Sequence, residues 1–599
     1  MEFWITRINA VAILLAALTG CGGGGASDVL APTPAQGGAT APSAPPAQLP
    51  AASPPVPPAV SPDEASGGSG AAHVPLTSAQ ASKMLAMGTF GASISDIRTA
   101  EGITPDAWIE AQFAEPASFH TPLLDALLTQ YESFPEDMAP EGLTPDLFRR
   151  YIWWHHAITA PDALRQRVAF ALSEIFVVSD QVEELADHPA ALAVFYDLLV
   201  ANAFGNFRAL LEDVTYSPAM GLYLSHLNNR RADPAANTFP DENYAREVMQ
   251  LFTIGLFELN ADGTRRLDAG GQPIPTYSNR EIRGLARVFT GMTVDCSGEM
   301  GEDFETFFGQ QEPCFSSPMT VFAEPHEPGT KDLVSGVTLP AGQSPREDIR
   351  QALDVLFAHP NVGPFIGRRL IQRLVTSNPS AAYVARVSAA FDGGGVTPRG
   401  DMKTVIKAVL TDPEALAPPD PSAARAKLQE PVLRYLALAR QFNARTDGGF
   451  FAITGFLSQE ALQQHPLSSP SVFNFYLPDY APQGAISSAG LVAPEFQITT
   501  DSTVVNLSNL IFDALLEDAI FEVPDYFTPV RLDFSEWAAF AAEPDVLLAQ
   551  IDLVFTAGTM SANTREAIRD AIDPIDDAQT RAVLALYLTL VSPDYAVRI

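Results

Sequence analysis

Apolar residues recur three and four positions apart over long stretches of this chain, and that spacing commits it to helices. Leu164, Val168, Leu172, Ile175 and Phe176 fall on one side of a 3.6-residue turn. They follow Thr159-Ala160-Pro161-Asp162, which supplies a capping residue and an early proline. Ser344-Pro345-Arg346-Glu347 reads as a capping box with proline in the first turn, opening a helix with Ile349, Leu353, Leu356 and Phe357 inward. Phe365, Ile366, Leu370, Ile371 and Leu374 make the next apolar face, and Ser278-Asn279-Arg280-Glu281 caps another helix. The span from about Leu259 to Tyr277, with Asp262-Gly263 and Gly270-Gly271, is the best hairpin candidate. From about Val294 to Pro340 no strong period appears. These patterns predict a mainly α fold: a large multi-helix domain with a small β-hairpin or irregular insertion around 259–340.

The globular pattern begins only at about residue 76. Residues 1–20 carry Arg7, then an apolar run from Val11 to Leu18, then small residues, the layout of a secretory signal. The run is shorter than the roughly 20 apolar residues that span a bilayer. Leu18-Thr19-Gly20-Cys21 resembles the lipobox of bacterial lipoproteins, which assigns Cys21 to lipidation. Gly22 is not Asp, which under the sorting rule for Gram-negative lipoproteins implies the outer membrane. Residues 21–75 are then the lipidated cysteine and a Pro/Ala/Gly-rich tether, too poor in large apolar groups to offset ordering entropy. Residues 76–599 form the helical domain, long enough for two sub-domains. The expected location is the outer membrane, facing the periplasm or the cell surface, with lipid as the only membrane contact. Of three cysteines, Cys296 and Cys314 remain, either as a disulfide or as two free thiols.

The chain has 36 basic and 71 acidic side chains, a net charge of −35, which excludes a nucleic-acid partner and gives a self-repelling, soluble surface. The familiar catalytic motifs are missing. There is no His-Glu-x-x-His, no Gly-x-Ser-x-Gly and no pair of Cys-x-x-Cys knuckles. Gly395 to Asp401 has the glycine spacing of a phosphate loop with Asp401 where lysine belongs. Glu258, Asn260, Asp262 and Gly263 imitate the start of a calcium loop, but the closing glutamate position is Ala269. No cofactor is predicted, and a divalent metal stays open.

Several runs carry a resemblance. They include Gly88-Thr-Phe-Gly91, the segment from Leu164 to Phe176, Phe204-Gly-Asn-Phe-Arg208, and the segment from Glu242 to Gly255. Further runs are His326-Glu-Pro-Gly-Thr-Lys331, His359 to Phe365, Leu374 to Pro379, Arg399-Gly-Asp401 and Ser592-Pro-Asp594. From about Leu76 to the C-terminal end the chain resembles the bacterial family called domain of unknown function 1800 (DUF1800). The resemblance implies a secreted, mostly helical protein, often encoded beside an exported family that resembles sulfatases and alkaline phosphatases. It supplies no reaction.

Candidate chemistry starts with the segment at Glu242. On a helix, Tyr244, Val248, Leu251 and Phe252 share an apolar face, while Asn243, Arg246, Glu247 and Gln250 form a polar stripe. Such a stripe suits a solvated face, a buried network or one wall of a site. Glu247 would serve as a general base or metal ligand. His326 and Lys331 would complete an acid/base set for a phosphate or sulfate ester if they converge on it. Trp153-Trp154-His155-His156 suits either a sugar platform or core packing. Arg165 and Arg167, like Arg368, Arg369 and Arg373, are expected in internal salt bridges, and Arg165, Arg167, Asn243 and Arg246 form the expected structural polar network. The leading functional expectation is a scaffold or accessory for an exported phosphatase- or sulfatase-like partner. The alternatives are a hydrolase of phosphate or sulfate esters and a glycan-binding protein.

Overall fold

Several helices begin on a proline in the first turn or on a side-chain cap. The computed structural model describes residues 74–135, 138–140, 143–294, 315, 317–418, 426–516, 521 and 523–598, so Cys21, Cys296 and Cys314 lie outside the described residues. Helix α1 (Pro145–Thr159) starts on a proline, and α2 (Ala163–Ser173) begins after Asp162. Then come α3 (Asn243–Gln250) and α4 (Asn279–Val288), the latter closed by a reciprocal capping box between Ser278 and Glu281. In α5 (Pro345–Ala358) only half of the expected box forms. Ser344 Oγ accepts from Glu347 N at 3.3 Å, while the Glu347 carboxylate is held by Arg350 and Gln351. Helix α6 (Val362–Leu374) follows three residues later, and α7 (Pro431–Gln441) lies further along the chain.

The predicted apolar stripes face inward. Leu164, Val168, Leu172, Ile349, Leu353, Ile366, Leu370, Ile371 and Leu374 are buried in a core whose members run from Leu76 to Tyr595. A helix contributes to stability mainly by burying such a face, at about 25 cal/mol per Å² of apolar surface. The described residues belong to one compact unit, Pro57–Ile599.

The β content is small, as expected for a mainly α fold. Among the described residues there are three antiparallel two-stranded sheets. Strand β1 (Met292–Thr293) pairs with β2 (Thr320–Val321), and β3 (Lys331–Asp332) with β4 (Thr338–Leu339). Strand β5 (Lys427–Leu428) pairs with β6 (Val597–Arg598), placing Lys427 opposite Arg598. The hairpin expected at 259–277 is realised as three isolated bridges, Phe257 to Pro275, Leu259 to Arg265 and Leu267 to Pro273. Pro273 and Pro275 have no amide donor, so this ladder stays interrupted. No helix among the described residues is long and apolar enough to cross a membrane.

Candidate functional site

Glu247 lies on the inner side of α3, buried, with Oε2 lacking any hydrogen-bond partner. Burial pushes its carboxyl up to about 7, against the opposing pull of Arg246. Two phenols share its field. Burial first, then the Glu247 charge, pushes Tyr277 up to about 12, and Tyr223, hydrogen-bonded to Ser469, is also pushed up to about 12. A carboxyl group poised near neutrality with a free oxygen is able to accept or deliver a proton. The outer side of α3 is different. Asn243 is exposed, and Arg246 is half-exposed with its guanidinium 3.3 Å from Glu242. The polar stripe is therefore split between a buried acid and a solvated ion pair.

His326 and Lys331 meet, but on a third residue. Lys331 Nζ, fully buried, donates to Glu327 O at 2.6 Å and Gly329 O at 3.0 Å, and lies 2.6 Å from Asp348 Oδ2. His326 Nε2 is 2.9 Å from the same Asp348 oxygen, and its Nδ1 is 2.9 Å from Thr290 O. Asp348 Oδ1 accepts from Gln343 at 2.8 Å. All three ammonium donors of Lys331 are used, so the knot is closed against a ligand. It fastens β3 to the first turn of α5. Among the described residues Glu247 makes no ion pair or hydrogen bond with His326 or Lys331.

A larger polar cluster occupies the core beneath α2. Glu174 follows the last turn of that helix and is buried. Its Oε1 accepts from Arg373 Nη1 at 3.2 Å, Asn474 Nδ2 at 3.1 Å and Tyr476 Oη at 3.4 Å. Glu430, fully buried at the start of α7, accepts from Gln464 at 2.7 Å and acts electrostatically on Glu174. Glu174 Oε2 and Glu430 Oε1 have no hydrogen-bond partner. Two buried acids that act on one another resist ionising together. Burial, with Glu430 adding to it against Arg373, pushes Glu174 up to about 8. Glu430 is held below the usual range. Its own burial opposes this, and Lys427, Arg167 and Arg373 outweigh that burial. Lys427 also pairs with Glu495, both buried.

The covering segment, residues 463–478, reaches Glu174 through left-handed backbone at Gln463, Leu467 and Asn474, with φ of 57°, 57° and 65°. Non-glycine residues held there cost about 1 kcal/mol or more each, and hydrogen bonds from Ser179 to Ser469 O and from Asp180 N to Leu467 O hold the path.

The remaining candidates are structural in their contacts. Arg167 is buried and donates to Arg373 O at 2.9 Å, a backbone oxygen where a carboxylate was expected. Arg165 has the expected acid, Asp162, 3.6 Å away, and stacks on Phe204. Arg369 donates to Gln372 at 3.0 Å. Trp153 and Trp154 are both buried, Trp153 donating to Tyr196 at 3.0 Å, so neither ring offers a shelf to a sugar. Asp262 caps Thr264 in an ordinary turn, and Asp401 caps a helix. Among the described residues no group of three or more His, Cys, Asp or Glu side chains is placed to hold a metal ion.

The chain is thus a helical domain organised around buried carboxylate and guanidinium clusters. A family model described as Protein of unknown function (DUF1800) matches residues 83–597, and the chain belongs to that family. No curated protein and no solved structure matches it.

Proposed function

We propose that this protein is an exported lipoprotein, anchored through Cys21, that serves as a scaffold or accessory to an exported partner of the phosphatase- or sulfatase-like kind. The observation that carries the reading is a set of exposed apolar side chains, two within the Glu174 cover and one soon after it. Phe473, Leu477 and Phe496 are 44%, 39% and 37% exposed. The backbone around them is held: Phe473 N donates to Ser471 Oγ at 3.3 Å, Leu477 N donates to Gln497 Oε1 at 2.8 Å, Gln372 donates to Pro478 O at 3.1 Å, and Asn378 exchanges bonds of 2.8 and 2.9 Å with Val492. Rigid aromatic and aliphatic groups held in solvent lose little entropy on docking, which is what interface anchors require. The test is a native pull-down of the tagged lipoprotein in mild detergent, beside a Phe473→Ser/Phe496→Ser variant. A stoichiometric exported partner with the native chain, absent with a folded variant, is the expected result. Recovery of the lipoprotein alone, or equal recovery with the variant, overturns it.

A second reading, a hydrolase of phosphate or sulfate esters, draws its support from Glu247 alone, with its free oxygen and near-neutral carboxyl. It expects hydrolysis of aryl phosphates or sulfates with a titration midpoint near 7, lost in Glu247→Gln. No turnover by the native lipoprotein sinks it.

A further inference from the structure

The cleft beside β5 and β6 has more positive charge than its own carboxylates answer. Arg167, Lys427 and Arg598 line it, with Glu430 as its deep acid, and Lys83 and Asp594 also line it, one of each sign. Lys427 and Arg598 stand directly opposite in the β5–β6 register, a pairing that repels unless something negative lies between. Lys427 has Glu495. Among the described residues the two guanidiniums have no carboxylate at ion-pair distance. Arg598 donates Nη1 to Ala86 O and Nη2 to Leu374 O, each at 2.6 Å, and its Nε is unpartnered. Arg167, 2% exposed, gives Nη2 to Arg373 O and leaves Nη1 without a partner. Burial first, then the Arg167 charge, lowers Arg598 to about 10 against the pull of Glu495 and Glu430, so the two guanidiniums feel one another.

Charge counting gives the same sign. The cluster holds Arg167, Arg373, Lys427 and Arg598 against Glu174, Glu430 and Glu495, one positive charge in excess even with every acid ionised. Uncompensated charge in an interior is costly, and a guanidinium with a free N–H edge is built to take a planar or tetrahedral oxyanion. In a chain of net charge −35 a local positive excess is not a property of the surface as a whole.

We propose that this cleft binds an oxyanion, the phosphate, sulfate or carboxylate end of a small ligand, between Arg167 and Arg598 with Lys427 at its side. The site stands independently of the accessory reading.

The experiment is isothermal titration of the detergent-solubilised lipoprotein with inorganic phosphate, sulfate and acetate, each at ionic strength balanced with chloride. Saturable one-site binding of at least one anion is expected, weakened about tenfold or more in Arg598→Gln, which corresponds to about 1.4 kcal/mol. Phosphate or sulfate alone points to an ester-type ligand, and acetate to a carboxylate. Thermal melting keeps the test decisive if the variant folds poorly. An occupied site raises the native melting temperature along a saturating curve, whereas excluded salts stabilise without saturating. No saturation with any of the three anions, or unchanged affinity in folded Arg598→Gln, overturns the site.

Discussion

Its raised carboxyl makes Glu174 a stability sensor. Its carboxyl titrates near 4.5 when free and about 8 in the fold, so across that window the folded state binds the extra proton. Its contribution is therefore present at low pH and lost as pH rises toward about 8. Gln at position 174 stands in for the neutral acid and keeps an oxygen to accept from Arg373. Relative to wild type, Glu174→Gln should gain on the order of 2–4 kcal/mol between pH 5 and pH 8.5, read as the difference between two urea unfolding series. A difference that stays flat with pH would show that Glu174 does not hold a proton. Glu174 was poorly legible in the sequence because it sits at the end of an apolar run, Phe170 to Phe176, with its partners about 200 to 300 residues away. Glu247 was legible, since a lone acid on a helical stripe declares itself locally. Asp348 is masked by Glu347, whose capping pattern accounts for the polar start of α5 without the acid that gathers His326 and Lys331.

Individual helices could be read closely, because period and caps are local signals. The stripe from Leu164, the Ser278 box and the Ser344 start all correspond to helices in the fold. What the sequence concealed is how elements approach one another, and Gly284 shows why. It lies on α4 where β3 crosses, and a Cβ there would stand 1.8 Å from Asp332 O. Helix propensity alone favours alanine over glycine by about 1 kcal/mol. The clash with backbone reverses that sign, since neither the helix nor β3, clamped by Lys331, is free to move. Gly284→Ala should destabilise by at least about 2 kcal/mol, measured by urea unfolding. An unchanged or raised midpoint would mean that β3 is not held against α4.

For the whole molecule, charge and anchor have to be considered together. With 71 acidic and 36 basic side chains, the domain is repelled by an anionic membrane face. No described helix is able to cross a bilayer. On the proposed reading the only attractive term is acyl chain burial at Cys21, worth about 0.8 kcal/mol per methylene, with several chains needed for stable retention. Removing it leaves nothing to hold the domain at the surface, and lowering the salt increases the repulsion. Cys21→Ser should therefore lose labelling by radioactive fatty acid. Any exported, processed chain should then appear entirely in the soluble fraction, at low ionic strength as well as high. The result at low salt is the informative one. A basic peripheral protein would return to the membrane there, and an acidic one with a docking face for a membrane-held partner would return only when that partner is present. Membrane retention of Cys21→Ser that disappears with Phe473→Ser/Phe496→Ser would locate the attachment in the partner, whereas retention indifferent to both changes would contradict the anchor and the docking face alike.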